Sequence, residues 1–391
     1  FRLTTKLYTK FYNVNSILIF IHMILQKEIE DKTIVWLAHS NQYLIVENIV
    51  AKILHALDSG SSKKEIKNTL LNYIDIPKEK ADRFIIDIKK LLHKHVTHQK
   101  PHVSYNLPEN FISTKYYKIN GTLFFIEFLS DYEVSLIHPK FAHLEIAPTE
   151  TFDFHYQVFT QNEHIFFLVN NSLIDAWSVK ESHYFQGKFS MKIIESIHKK
   201  EETQWMGIFH ASAVSNNKEA VLFLGDSGNG KSTSLALLQA NGFNCLADDF
   251  VPIASQNQEV YSFPSAISIK ENSLGTLLPI YPELENAAVY HFKSLHKTVR
   301  YLPPKVNNAH QHQKCHKLVF IKYQKKEDFS LQRISKKSAF QRLVPDSWLS
   351  PSPKNAQSFL NWFSSLTCYE LTYSNNKKMI ESVQEIFANE L

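Results

Sequence analysis

The apolar positions of this chain change period along its length, and the changes divide it into sections. Between Thr33 and Val46 two short apolar runs, TIVWLA and YLIV, flank His39-Ser40-Asn41-Gln42, the pattern of a β-hairpin. The period then turns helical three times over. Ile49, Ile53 and Leu57 share one face of a first helix that ends at Asp58-Ser59-Gly60. Ser62 is placed to cap a second, which carries Ile66, Leu70 and Ile74; Pro77 opens a third, with Phe84, Ile88, Leu91 and Leu92 on its buried side. Residues 26–98 are therefore expected to form a small hairpin-plus-three-helix domain. An arm over 1–25 precedes it, and a proline-containing stretch over 99–110 reads as a linker.

From Tyr116 to Trp177 the pattern is strand-like, with strands expected at Thr122–Phe128, Glu133–Ile137, Phe152–Phe159 and His164–Val169. A helix over Gly187–Lys199 and a strand over Gly207–Val214 follow. The apolar run Ala220–Leu224 then leads into a glycine-rich loop, the helical run Thr233–Asn241 with Gly242 as its C-cap, and the short apolar run Phe243–Ala247. Further on come strands at Leu318–Tyr323 and Phe329–Ile334, helices from Ser338 and around Ala356–Ser364, a strand at Cys368–Thr372 and a last helix from Lys377. Strand, loop, helix, strand in the middle of 111–391 predicts an α/β nucleotide-binding core behind a β-rich section.

Composition narrows the function classes. The 391 residues include 28 Phe and 17 Tyr against 9 Gly, which agrees with many strands in a globular protein. The net charge of +5 comes from 43 basic and 38 acidic residues spread along the chain, so no nucleic-acid partner is expected. Cys245, Cys315 and Cys368 are odd in number and far apart, as in a reducing compartment, and a cytoplasmic location is expected. The apolar stretch Ser16–Leu25 is broken by His22 and falls short of the roughly 20 residues of a membrane span; Gln26-Lys27-Glu28 after it is no cleavage site. No membrane anchor is expected, and Met23 is a candidate start that would make 1–22 upstream sequence or a loose arm. His310, His312, Cys315 and His316 match no common zinc spacing, and their neighbourhood reads as a polar loop.

The chemistry concentrates between 220 and 249. Gly225-Asp226-Ser227-Gly228-Asn229-Gly230-Lys231-Ser232 satisfies G-x-x-x-x-G-K-[ST] at every defined position, with Thr233 next and a helix beyond. The glycines let backbone N–H groups converge on phosphate oxygens at a helix N-terminus. Lys231 would reach the β- and γ-phosphates, and the Ser232 hydroxyl would bind Mg²⁺. Asp248 and Asp249 follow at a strand end. One carboxylate of such a pair would hold Mg²⁺ and the other would take the proton of an attacking hydroxyl.

Phe209-His210-Ala211, the loop, and Ala247-Asp248-Asp249 together resemble the core of HPr kinase/phosphorylase and its smaller HprK-like relatives, in which a histidine precedes the loop lysine by about twenty residues and an Asp-Asp pair follows. The resemblance implies an HPr-kinase-like P-loop core with ATP and Mg²⁺, Asp248 as the base, and Asp249 as its acidic companion on the metal with Ser232. It also implies His210 and Lys231 near the transferred phosphate, and a homo-oligomer, since HPr kinases are hexamers. The downstream glycine-rich signature of the bifunctional members is not found. Phe263-Pro264 with Ser268-Ile269-Lys270 resembles a stretch of the smaller relatives, which makes Lys270, and less directly Arg300, candidates to meet a phosphate or carboxylate. The hairpin-plus-helices unit is similar to PqqD-like domains, which take an extended leader peptide as an added strand. The expected function is a kinase for a Ser or Thr hydroxyl of a peptide delivered by that domain; the alternatives are a kinase of a free amino acid or other small molecule, and a nucleotide-sensing binding protein without turnover.

Overall fold

Three antiparallel strands begin the N-terminal unit: β1 (Ile24–Ile29), β2 (Lys32–Leu37) and β3 (Gln42–Glu47), in that spatial order. The structure is a computed structural model and describes residues 24–92, 103–292, 297–305, 311–327 and 329–389; the expectations for 1–23, 93–102 and His310 lie outside these. Helices α1 (Asn48–Asp58), α2 (Lys63–Tyr73) and α3 (Lys78–Leu92) follow. Ser62 caps α2 as expected, its Oγ accepting from the Glu65 N–H at 3.3 Å while Glu65 accepts from the Ser62 N–H at 2.8 Å. Alternate residues of β2 go to two different cores. Val35 and Leu37 pack with Ile53, Leu54, Ile66 and Leu70 of the helices, whereas Ile34 and Trp36 face the other way, into the main core of the chain. Both faces are covered, which is why TIVWLA is continuously apolar instead of alternating. At the β2–β3 turn Asn41 has φ +48°, accepts from Trp36 Nε1 at 2.8 Å and donates to the Leu349 carbonyl at 2.9 Å. The hairpin is thus one strand short of the actual sheet. Ile24 and Leu25, assigned to the arm, belong to β1, whose ILQKEI has too few apolar positions to show a period.

The β-rich section forms one five-stranded sheet from β4 (Ser113–Ile119), β5 (Thr122–Phe128), β6 (Phe154–Gln161), β7 (His164–Val169) and β8 (Ser172–Ser178), in chain order. Its β5 and β6 run parallel, joined through α4 (Asp131–Phe141), and α5 (Ser182–His198) follows β8. Phe185 and Phe189 of α5 pack against Tyr156 and Phe167 of the sheet. Phe159 and Phe166 on the opposite face receive Val103, Tyr105 and Phe111, so two residues of the expected linker, Val103 and Tyr105, pack on the sheet. The strand expected at Glu133–Ile137 is helix α4 instead. Val134 and Leu136 suggested alternation, but Ser130 and Glu133 form a capping box, with Glu133 accepting from the Ser130 N–H at 2.7 Å, and buried Ile137 and Phe141 share a helix face.

The remaining chain supplies β9 (Trp205–Phe209), β10 (Ser212–Ser215), β11 (Ala220–Leu224), α6 (Lys231–Ala240), β12 (Asn244–Asp248), β13 (Val251–Ala254), β14 (Glu259–Tyr261) and β15 (Ile267–Lys270). After them come α7 (Leu274–Leu277), β16 (Tyr290–Phe292), β17 (Lys297–Leu302), β18 (His312–Tyr323), β19 (Ser330–Arg333), α8 (Lys336–Leu343), β20 (Ser347–Leu349), α9 (Pro353–Ser365), β21 (Thr367–Tyr373) and α10 (Asn376–Ala388). In the described chain the large sheet runs β12-β10-β11-β18-β14-β13-β9-β20, with β21 beside β18 and β19 beside β21; β15-β17-β16 form a small sheet apart. Parallel pairing joins β11 to β18 and β18 to β21, while antiparallel β10 between β11 and β12 leaves β12 pointing the same way as β11. Four strands therefore end at one edge of the sheet.

Two further expectations are corrected. The single strand over Gly207–Val214 is two, because the chain leaves one pairing partner for another at His210-Ala211: β9 lies between β13 and β20, and β10 between β11 and β12. The described part of HQHQKCH is no polar loop but the first part of β18, paired with β14 through Tyr261 and His312. Its inward positions are Gln313, Cys315 and Lys317, the last buried against Glu219 at 2.6 Å, so the alternation carries no aliphatic signal. No group of three or more His, Cys, Asp or Glu placed to hold a metal occurs among the described residues, and the three cysteines are buried free thiols. Among the same residues no helix is long and apolar enough to cross a membrane.

Candidate phosphoryl-transfer site

The loop after β11 adopts a backbone that its glycines make possible. Gly225 has φ +146°, and a Cβ there would lie 2.7 Å from the Ile321 carbonyl oxygen; Gly230 has φ +91°, with Tyr373 Oη 3.1 Å from the same point. The Asn229 N–H donates to the Asp226 carbonyl at 3.1 Å, closing the turn, and the Ser234 N–H to the Gly230 carbonyl at 2.8 Å, starting α6. Gly225, Asp226, Ser227, Gly228, Asn229, Gly230, Lys231, Ser232 and Thr233 thus form one turn into a helix N-terminus. Lys231 is buried, its Nζ donating to the Gly225 carbonyl at 2.5 Å and reaching the Asp226 carbonyl at 3.5 Å. Burial pulls its pKa below the ordinary lysine value, opposed by Asp249, Asp248 and Asp226.

Asp248 is the last residue of β12 and stands opposite Ser212, the first of β10. The Ser212 hydroxyl donates to its Oδ1 at 2.5 Å and the Ser232 hydroxyl to its Oδ2 at 2.9 Å. Full burial pushes its pKa up to about 6, with Asp249 adding to the rise and the two serines and Lys140 pulling it down. Asp249 comes next at φ +63°, which turns the chain from β12 into β13. Its Oδ2 lies 4.0 Å from Lys140 Nζ, with 31% of the side chain exposed. His210 is exposed at the break between β9 and β10, its Nδ1 3.2 Å from the Asp249 carbonyl oxygen. The four residues expected at the chemistry, Lys231, Asp248, Asp249 and His210, are therefore brought together. Ser232 is bonded to Asp248, the residue that the resemblance reads as the base, while Asp249 is partly buried and 4.0 Å from Lys140.

No family model matches this chain, and no curated protein does. The donor set itself decides what the site fits. A serine hydroxyl and a carboxylate are hard oxygen ligands, and Mg²⁺ keeps several waters and takes only one or two carboxylates beside substrate phosphates, so Ser232 and Asp248 suffice on the protein side. A glycine-rich turn into a helix N-terminus and a lysine beside it fit a polyphosphate.

Three nearby residues escape a reading of the sequence. Ser212 orients Asp248. Lys140 comes from α4, held in place by the Ala266 N–H donating to its carbonyl at 2.8 Å, while His143 Nε2 lies 3.1 Å from the Pro264 carbonyl oxygen. Tyr301 of β17 has its hydroxyl pKa pushed far up by burial, with the charge of Asp249 adding to the rise. More than a hundred residues separate Lys140 from Asp249, and no periodicity links them. Lys270 does reach the loop, its Nζ donating to Ser227 Oγ at 3.1 Å, whereas Arg300 is paired with Glu271 at 3.2 Å. Thr233 shares a 2.8 Å hydroxyl contact with Ser273.

Proposed function

We propose that the chain is an ATP-dependent phosphotransferase acting on a serine or threonine hydroxyl of a peptide. The observation that carries this reading is the contact of Ser232, at the start of α6, with Asp248, at the end of β12, while Asp249 projects from the same strand end toward Lys140. Bound Mg²⁺ would neutralise charge on the phosphate oxygens, and Ser232 and Asp248 are the residues that would hold it. The loop N–H groups and Lys231 orient the polyphosphate and offset charge on the transferring group. Asp249, the more exposed carboxylate, accepts the proton of the attacking hydroxyl on an Oδ atom; Lys140, 4.0 Å away, faces that carboxylate, and His210 braces the turn that presents it. This reverses the division of labour that the family likeness implies for the two aspartates.

The N-terminal unit supports a peptide acceptor. Its sheet is covered on both faces, and β3 pairs with β2 alone among the described strands, so an extended peptide can add at the β3 edge by main-chain hydrogen bonds. The test is transfer from labelled ATP with Mg²⁺ to a library of Ser- and Thr-containing peptides, using wild type, Asp248→Asn and Asp249→Asn. Label on peptide that both variants lose, with nucleotide affinity kept in Asp249→Asn and weakened in Asp248→Asn, is expected. Label on free amino acids alone overturns the peptide acceptor, and nucleotide binding without any transfer overturns catalysis.

A further inference from the structure

Strands β11, β18 and β21 run parallel side by side, so their carboxyl ends meet at one edge, where β11 enters the phosphate loop and the other two end in Tyr323 and Tyr373. Ligands of open α/β sheets lie in the crevice outside such strand ends. Asp248, Asp249, His210 and Lys140 all gather on the β12 side of the loop, and they mark the end where a terminal phosphate would react. The nucleoside of the same ligand must then extend over the opposite side, toward β18.

What stands there is an aromatic ring pinned to the loop. The Tyr323 N–H donates to the Asn229 carbonyl at 3.1 Å, so the main chain fixes its position relative to the phosphate-binding turn. Tyr373 backs the ring, with centroids 5.4 Å apart and planes at 64°, and is itself held by the contact of its Oη with Ser234 Oγ at 2.8 Å. Both tyrosines close on Gly230, whose missing side chain leaves room for Tyr373 Oη at 3.1 Å and Tyr323 Cβ at 3.3 Å. Yet Tyr323 keeps 38% of its surface in solvent, while Tyr373 is buried. A large ring fixed in place, supported by a second ring and open to solvent beside a phosphate loop, is built like a stacking surface. We propose that Tyr323 is the platform on which the base of the bound nucleotide stacks, with Tyr373 as the residue that positions it.

This subsite rests on the nucleotide-binding reading above, and the experiment separates the two. Stacking on an aromatic side chain is worth about tenfold or more in affinity per base and tolerates any base, because every base has a π-face. Calorimetric titration of wild type, Tyr323→Ala and Tyr323→Phe with Mg²⁺-ATP and with inorganic tripolyphosphate reads base and phosphate binding apart. Tyr323→Ala is expected to bind ATP about tenfold more weakly and tripolyphosphate as wild type does, with Tyr323→Phe unchanged for both. Equal ATP affinity in wild type and Tyr323→Ala overturns the platform, as does an equal loss for ATP and tripolyphosphate, which would make Tyr323 a support for the loop. A wild type that binds neither ligand overturns the nucleotide-binding reading itself.

Discussion

Asp248→Asn is expected to stabilise the nucleotide-free protein while abolishing transfer. The carboxyl is fully buried and its pKa rises from 3.8 to about 6 on folding. An acid with a raised folded-state pKa contributes stability that is fully present below its unfolded pKa and is lost as pH rises through the folded one. The loss here falls between about pH 4 and pH 6 and is complete by pH 8. A gap of about two units at about 1.36 kcal/mol each amounts to about 3 kcal/mol. Asparagine keeps the shape: its Oδ1 can accept from one of the Ser212 and Ser232 hydroxyls, and its Nδ2 can donate to the other once that hydroxyl rotates. At about 2–4 °C per kcal/mol for 150–250 residues, and less for a larger unit such as this one, the variant should melt several degrees above wild type at pH 8 and level with it at pH 4. Melting both proteins without nucleotide across that pH range is the assay. A difference that does not change with pH, or a variant less stable at pH 8, would refute the claim that an ionised carboxylate is held there against the cost of burial.

Other substitutions probe the remaining parts of the site and its support. Lys140→Met removes an ammonium 4.0 Å from Asp249; the Coulomb energy of about 4 kcal/mol at an effective dielectric of 20 falls to about 1 kcal/mol for a pair this exposed. Single-turnover transfer should slow by about tenfold while ATP affinity holds, and Lys140→Arg should restore most of the rate; an unchanged rate would show that α4 has no part in the chemistry. Gly230→Ala places a Cβ at φ +91° against Tyr373, costing about 1–2 kcal/mol in backbone strain, and should weaken Mg²⁺-ATP by at least about tenfold in titration without changing the circular dichroism spectrum. Asn41→Ala leaves Trp36 Nε1 and the Leu349 carbonyl without their shared partner and puts alanine at φ +48°. A stability loss of about 2–4 kcal/mol in urea unfolding is expected, and a loss below about 0.5 kcal/mol would show that the bridge contributes little.

What could be read from the sequence was local. The three N-terminal helices, α6 and the loop before it, and the strands around Thr122–Phe128 and His164–Val169 are all specified by residues within a few positions of one another, through caps, glycines and a clean period. The misreadings have a common cause. In α4, Glu133-Val134-Ser135-Leu136 alternates over four residues, and only the Ser130–Glu133 cap and the Ile137–Phe141 face decide for a helix. In β18 a buried Lys317 satisfied by Glu219 occupies a position where an aliphatic residue would have signalled a strand. In β1 the pairing with β2 supplies what ILQKEI itself does not. Each outcome depends on a partner far away in sequence, and a single chain read along its length does not contain that partner's position.

The same limit explains the site. Spacing placed Asp248 and Asp249 after the loop and made them equivalent, since neighbours in sequence share every long-range relation that spacing can express. They cease to be equivalent only through the register of β10 with β12, which sets Ser212 opposite Asp248, and through the change to φ +63° at the next residue. That one backbone reversal buries the first carboxylate between two serine hydroxyls and turns the second toward Lys140. Two identical side chains thereby acquire different solvation and partners, which is the condition for one to hold a cation while the other takes a proton. Straightening that turn should therefore disturb both roles at once.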